Sequence, residues 1–168
     1  MNPVLHTARE KLNSVTPLKK DCGRVCGAAC CRSPGNEETG MLLFPSEEEA
    51  YSGTDGWTIR ETAMGRMVIC PGTCVRDERP LACRMFPLLP VIGENGEIRV
   101  VTDLRAKAVC PLARQGRSAM DPAFIEAVWE AGFFLAGEEG QAAFLEKLKE
   151  EQEELKRLRR TLGGEERV

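Results

Sequence analysis

The sequence predicts an α+β fold, in which a small irregular domain of short strands and helices is followed by a helical extension. Three observations support this prediction. Short apolar runs alternate with turn residues over residues 41–101, all eight cysteines precede residue 111, and helical periodicity dominates from residue 121 onward. We therefore expect a cysteine-rich domain over residues 1–116 and a helical extension over residues 117–168.

The first part of the chain carries local signals for two helices and three strands. Apolar residues spaced by three and four lie on one face of a first helix, which Pro17 would end: Leu5, Ala8, Leu12 and Val15. Residues 41–44 form an apolar run suited to a buried strand. Ser46 and Glu49 form a capping box, which predicts that a helix starts there. Residues 57–62 and 64–70 follow as two strands.

The second part of the chain has clearer signals. Residues 88–101 are typical of a hairpin, because Asn95 and Gly96 readily supply the positive φ angles of a tight turn. Asp121 followed by Pro122 predicts the start of a helix that Gly137 would end. Residues 138–162 predict a last helix with an apolar stripe that Glu151 interrupts: Phe144, Leu148, Leu155, Leu158 and Leu162.

Composition and charge narrow the classes of partner. The net charge of −3 argues against nucleic acid, because general affinity for phosphate needs a basic face. The N-terminus lacks the pattern of a signal peptide, and the sequence lacks the run of about 18 apolar residues that a membrane span needs. We therefore expect a cytoplasmic protein that binds neither nucleic acid nor membrane.

Cysteines clustered in a reducing compartment more often bind metal than form disulfides. Small residues between the first cysteines would let the chain wrap closely round an ion, and thiolates suit tetrahedral zinc or an iron-sulfur cluster. We therefore expect the cysteine-rich domain to be centred on metal. Its candidate ligands are Cys22, Cys26, Cys30, Cys31, Cys70, Cys74, Cys83 and Cys110.

Some details of this metal site stay open on the sequence alone. The adjacent Cys30 and Cys31 would diverge in an extended segment, so they could serve two different ions, or one could stay free. Arg79 and Arg84 could donate hydrogen bonds to thiolates, and Pro80 would start a short helix before Cys83. The only histidine, His6, is expected to be solvated. No catalytic residue can be assigned, because no other catalytic motif is present.

The cysteine pattern resembles a known family. Residues 22–31 read Cys-x3-Cys-x3-Cys-Cys, Cys70-x3-Cys74 follows, and residues 79–87 read Arg-Pro-Leu-Ala-Cys-Arg-Met-Phe-Pro. This pattern is similar to the CxxCxxCC family of zinc- or iron-chelating proteins, the YkgJ type, although three residues, not two, separate the first cysteines. The resemblance covers about residues 20–112 and implies a chelating domain. Because related domains occur in flagellin lysine methylases, it also allows a link to methyl transfer.

Three functions follow as hypotheses. The first is a module in which zinc holds the fold and the surface recruits a protein partner, since an all-cysteine site is typical of structural zinc. The second is an iron-sulfur protein with a redox or enzymatic role, and the third is metal storage or delivery. The last helix could also form a homodimer or bind a partner. Because aromatic residues are few, we expect metal removal to unfold residues 20–112 and to leave helix in the tail.

Overall fold

The computed structural model describes residues 2–32, 40–70, 72 and 75–163. Within these ranges the chain forms mixed α and β structure with a long C-terminal helix. The six helices are α1 (Pro3–Lys11), α2 (Cys22–Cys26), α3 (Leu81–Met85), α4 (Pro111–Gln115), α5 (Pro122–Ala136) and α6 (Glu139–Gly163). The five strands are β1 (Met41–Leu42), β2 (Thr58–Thr62), β3 (Gly65–Ile69), β4 (Leu88–Ile92) and β5 (Ile98–Thr102).

The strands form two small antiparallel sheets. In the first sheet β3 lies between β1 and β2, with Val68 opposite both Met41 and Ile59. In the second sheet β4 pairs with β5, and Ile92 lies opposite Ile98 where the hairpin turns. Gly96 has a φ of 78° in that turn, which glycine adopts without steric cost. The hairpin predicted over residues 88–101 is therefore confirmed, as are the two strands predicted before it.

The main hydrophobic core lies between the second sheet and four helices, α1, α3, α5 and α6. It contains Leu5 of α1, Leu89 of β4, Phe124 of α5 and Leu145 of α6, all buried. Helix α5 approaches β4 closely at Gly132, where an added β-carbon would lie 2.4 Å from Cβ of Pro90. None of the seven cysteines that the structure describes belongs to this core.

Helix boundaries agree with the sequence where the local signal was strong. The carboxylate of Asp121 accepts a hydrogen bond of 3.0 Å from the backbone N–H of Ala123, and α5 ends at Ala136, before Gly137. Helix α1 buries Leu5 and Ala8 as predicted but ends at Lys11, well before Pro17. Among the described residues, no helix is both long and apolar enough to cross a membrane.

The prediction that a helix starts at Ser46 is wrong. Residues Glu48–Ala50 form only a single 3₁₀ turn, and Ser46 has a left-handed φ of 69° and does not cap it. The cause is the neighbouring Glu47, whose side chain turns into the protein and is completely buried. A regular helix starting at Ser46 would require a different backbone path at Glu47.

Buried Glu47 connects three parts of the chain. Its carboxylate accepts hydrogen bonds from the backbone N–H groups of Phe44 (3.2 Å) and Leu81 (2.6 Å) and from the guanidinium of Arg9 (2.9 Å). Burial raises the pKa of Glu47, and the two backbone N–H groups and Arg9 oppose that rise. The carboxylate therefore connects α1 and the start of α3 to the segment that directly follows β1.

Helix α6 is only partly covered by the rest of the chain. Phe144 and Leu148 of the predicted stripe are buried, together with Leu145, whereas Leu158 and Leu162 are exposed. The core contains residues from both sides of position 116, so α5 and α6 pack on the same apolar cluster as α1 and β4. The domain boundary at residue 116 stays a prediction.

The pairing of Arg9 with Glu47 can be tested by pH dependence. In Arg9→Met the pKa of Glu47 should rise further, because the carboxylate loses its positive partner. A carboxylate whose folded pKa is raised destabilises the fold as pH rises above its unfolded pKa of about 4.3. We expect a loss of roughly 3 kcal/mol in urea unfolding at pH 7 that shrinks toward pH 4.

The matched control is Arg9→Met/Glu47→Gln, which has no carboxylate to titrate at this site. Its stability should fall less steeply than that of the single variant between pH 4 and 7. Parallel pH profiles for the two variants would contradict the proposed pairing.

Candidate metal centre

Two short helical turns hold the first four cysteines. The carboxylate of Asp21 accepts a hydrogen bond of 3.0 Å from the backbone N–H of Gly23 and so caps α2 at its start. Gly27 and Ala28 both have left-handed backbone angles, with φ of 65° and 55°. This double reversal ends α2 and leads into the 3₁₀ turn Ala29–Cys31. Residues 22–31 thus fold back on themselves within ten positions.

Thiols from distant parts of the chain interact electrostatically in this region. Burial raises the pKa of the Cys22 thiol, and Cys26, Asp21 and Cys110 raise it further. The buried Cys110 lies directly before α4. The fold therefore brings the thiol of Cys110 near the first cysteine group.

Cys30 and Cys31 form a pair. Their sulfur atoms are 3.9 Å apart, so the expectation that the two side chains diverge is wrong. That expectation assumed an extended segment, whereas the 3₁₀ turn places both sulfurs on the same side. The hydrogen bond between the two sulfurs lowers the pKa of Cys31 to about 6 and raises the pKa of Cys30. Cys22 and Cys26 add to the rise at Cys30.

Two further candidate ligands come from the chain after β3 and from α3. Half-buried Cys70 follows β3, and Gly72 passes near the 3₁₀ turn, where an added β-carbon would lie 3.5 Å from the carbonyl oxygen of Cys31. Cys83 lies on α3 near Tyr51; burial raises the pKa of Tyr51 to about 12, and Cys83 adds to that rise. Cys74 lies outside the described residues.

Seven cysteines are described, and none of them is in a disulfide: Cys22, Cys26, Cys30, Cys31, Cys70, Cys83 and Cys110. Over residues 2–32, 40–70, 72 and 75–163, no three histidine, cysteine, aspartate or glutamate side chains are placed to hold a metal ion together. The described thiols therefore form a loose electrostatic group. The eight-cysteine ligand set stays a prediction.

The arginines near the cysteines have different roles, which the sequence could not separate. Arg79 lowers the pKa of Cys31 and opposes the rise at Cys22, so its positive charge acts on the thiols. Arg84 is buried and donates to the carbonyl oxygens of Arg79 (3.1 Å) and Asp77 (2.8 Å) and to the side chain of Asn13 (2.5 Å). These contacts give Arg84 a structural role.

Arg76 fixes the chain between α1 and α2. Its guanidinium donates to the carbonyl oxygens of Leu12 (2.7 Å), Asn13 (3.1 Å) and Val15. Cys22 raises the pKa of Arg76, although burial and Arg79 lower it overall. Arg76 thereby holds the segment that leads into the cysteine group, a role that its position in the sequence did not indicate.

Asp21 was missed by the sequence analysis, and His6 lies outside the site. The negative charge of Asp21 raises the pKa values of Cys22 and Cys31, so it acts against Arg79. The available signal was an aspartate directly before a turn of helix. His6 is exposed on α1, and its Nδ1 lies 3.6 Å from the carboxylate of Glu10.

Comparison of the chain with protein-family models, with curated proteins and with solved structures found no match. The arrangement of Cys22, Cys30, Cys31 and Arg79 defines a class of site, a group of thiols beside an arginine. The resemblance in the cysteine pattern stays a proposal.

The effect of Arg79 on the thiols can be measured in metal-free, reduced protein. Thiolates react with iodoacetamide, whereas thiols do not, so alkylation of Cys31 should follow a pKa of about 6. In Arg79→Met the positive charge is lost, the pKa of Cys31 rises, and its alkylation at pH 6 to 7 becomes slower. Peptide mass spectrometry gives the rate at each cysteine.

Arg157→Met is the matched control, because Arg157 is an exposed residue of α6. It should leave the pH profile of Cys31 unchanged. An unchanged profile in Arg79→Met as well would show that Arg79 does not act on this thiol.

Proposed function

We propose that this protein binds metal and holds zinc through clustered cysteine thiolates. The observation that supports the proposal best is the electrostatic group of thiols from separate parts of the chain: Cys22, Cys26, Cys30, Cys31 and Cys110. Independent buried cysteines have no physical reason to gather at one end of a fold. Sulfur donors alone are typical of closed, structural zinc sites.

The donor set fits zinc in its chemistry. The proposed ligands come from the eight cysteines, among which Cys70 follows β3 and Cys83 lies on α3. Binding requires residues 22–31 to tighten around the ion, and the short turns joined at Gly27 and Ala28 give that segment a place to adjust. Arg79 would offset part of the negative charge of the thiolates.

The metal then organises one end of the molecule. None of the described cysteines belongs to the main core, whereas Cys110 packs in a small cluster that includes Ala106 and Ala113. We therefore propose that zinc shapes the surface around residues 20–32 and 105–110, where a protein partner would bind. Free thiols of this kind persist in a reducing compartment, which supports a cytoplasmic location.

An iron-sulfur centre is the second candidate. The five thiols that interact with Cys22 or Cys30, or are one of that pair, exceed the four that one zinc ion takes, and the same thiolates would bind iron. The resemblance to the CxxCxxCC family allows both metals. A redox role, or an enzymatic role linked to methyl transfer, belongs to this second candidate.

The metal content of purified protein distinguishes the two candidates. We expect protein purified without oxygen to be colourless and to contain stoichiometric zinc, and Cys22→Ser to lose most of it. His6→Ala is the control and should keep its zinc, because His6 lies on α1 beside Glu10. A brown sample that contains iron would favour the cluster. Wild-type metal content in Cys22→Ser would contradict a centre that uses this thiol.

Hydrogen exchange after chelation shows which segments of the fold depend on the bound metal. Structural zinc contributes an apparent binding free energy of roughly 10–16 kcal/mol in small domains. Because none of the described cysteines belongs to the main core, we expect amide protection to fall over residues 22–31 and 105–110 and to persist over Leu88–Ile92. This expectation differs from the wider unfolding that the sequence alone predicts. Loss of protection across β4 would show that the ion also supports the core.

A further inference from the structure

Cys30 and Cys31 offer two sulfur atoms to a single ligand. The sulfurs lie 3.9 Å apart. One atom can bond to both sulfurs only if they lie within about 4.6 Å of each other, which is twice a metal–sulfur bond of roughly 2.3 Å. The pair therefore meets the distance condition for a chelating dithiol, and the two sulfurs need to move together only slightly to close on a bridging atom.

The backbone holds this pair in place. Ala28 has a left-handed φ of 55°, and its carbonyl oxygen accepts a hydrogen bond of 2.8 Å from the backbone N–H of Cys31. That hydrogen bond closes the 3₁₀ turn Ala29–Cys31, which carries both thiols. A ligand that binds a preformed pair loses less binding free energy to ordering than a ligand that must first bring the pair together. The turn therefore prepares the two thiols for chelation.

A ligand can reach the pair from solvent. The side chain of Cys30 is exposed, that of Cys31 is half-buried, and neither thiol is in a disulfide. Neither residue belongs to the main apolar core. A small molecule can therefore bond first to Cys30 and then to Cys31 while the core stays closed.

The number of donors selects the kind of ligand. Zinc takes four donors, whereas within the part of the chain that the structure describes no three histidine, cysteine, aspartate or glutamate side chains are grouped to hold an ion. A trivalent arsenical with one carbon substituent needs only two sulfurs, because its third bond goes to carbon. Trivalent arsenic is also soft, and soft centres select thiolate sulfur. The two sulfurs as they stand thus match an arsenical better than they match zinc.

We infer that Cys30 and Cys31 form a capture site for monosubstituted trivalent arsenicals. In the binding step an arsenic–oxygen double bond is replaced by two arsenic–sulfur bonds, one to each cysteine. The two thiol protons leave with the oxygen as one molecule of water. Arsenic stays trivalent and neither sulfur is oxidised, so the step needs no oxidant or reductant.

This inference goes beyond the proposed zinc function and does not depend on it. The capture site needs only the two adjacent sulfurs, whereas zinc needs two more donors from elsewhere in the chain. Where zinc uses this pair, the two ligands compete for the same sulfurs, so capture of an arsenical should release zinc.

Intact mass spectrometry of the reduced full chain tests the inference. The probe is phenylarsine oxide, and a large excess of glutathione serves as a competing monothiol. We expect one phenylarsenic group per chain that glutathione does not remove and that dithiothreitol does remove. After trypsin, the group should lie on residues 25–32, because cleavage after Arg24 and Arg32 separates this fragment from Cys22.

Matched variants distinguish this pair from the third thiol of the same fragment. Cys30→Ser and Cys31→Ser should each weaken retention of the probe by about a hundredfold or more, because one arsenic–sulfur bond no longer holds the ligand for the second. Cys26→Ser is the control and should retain the probe as the wild-type protein does. Circular dichroism would confirm that each variant remains folded.

Three results would overturn the inference. The first is a wild-type protein that retains no probe in glutathione, both as purified and after chelation removes any zinc. The second is a probe retained on a fragment other than residues 25–32, and the third is an equal loss of retention in Cys26→Ser and Cys30→Ser. A protein that contains no zinc but captures the probe at this pair would support the inference and contradict the proposed zinc function.

Discussion

The buried carboxylate of Glu47 is the constraint on which the cysteine end of the molecule depends. It joins α1, the chain after β1 and the start of α3 through Arg9, Phe44 and Leu81. Burying a carboxylate is costly, and only a complete set of donors offsets that cost. Arg9 also donates to the carbonyl oxygen of Asp77, so the same network positions the segment that carries Arg79. The position of Arg79, which acts on the thiols, thus depends in part on the network around Glu47.

Two parts of the molecule are stabilised in different ways. One part, built from α1, the hairpin, α5 and α6, has an apolar core whose burial supplies the usual driving force of folding. The segments that carry Cys22 to Cys31 and Cys110 have short helices of five residues or fewer and little apolar burial. Isolated helices of that length are unstable in water. A bound ion is therefore most effective at the cysteine end, where packing contributes least.

Sequence reasoning succeeded where the determining interaction was local. The turn at Asn95 and Gly96 and the cap at Asp121 involve neighbouring residues only, and both elements are present. It failed at Ser46, because the conformation there depends on Glu47 reaching residues of α1 and α3, which are far apart in the sequence. The pairing of the sulfurs of Cys30 and Cys31 was missed for a local reason, since a 3₁₀ turn was read as extended chain. The approach of Cys110 to Cys22 is a tertiary result that spacing cannot give.

Charge links the cysteine segment to the proposed metal. The whole chain has a net charge of −3, yet residues 19–32 contain four lysines or arginines and one aspartate. Without metal the thiols of Cys22 and Cys30 stay neutral, because burial and neighbouring thiols raise their pKa values. A divalent ion held by four thiolates has a net negative charge, which the surrounding basic residues stabilise more than they stabilise neutral thiols. This basic environment favours the metal-bound form of the site over the form with protonated thiols. An iron-sulfur cluster held by thiolates is also anionic, so the basic residues would stabilise either kind of centre.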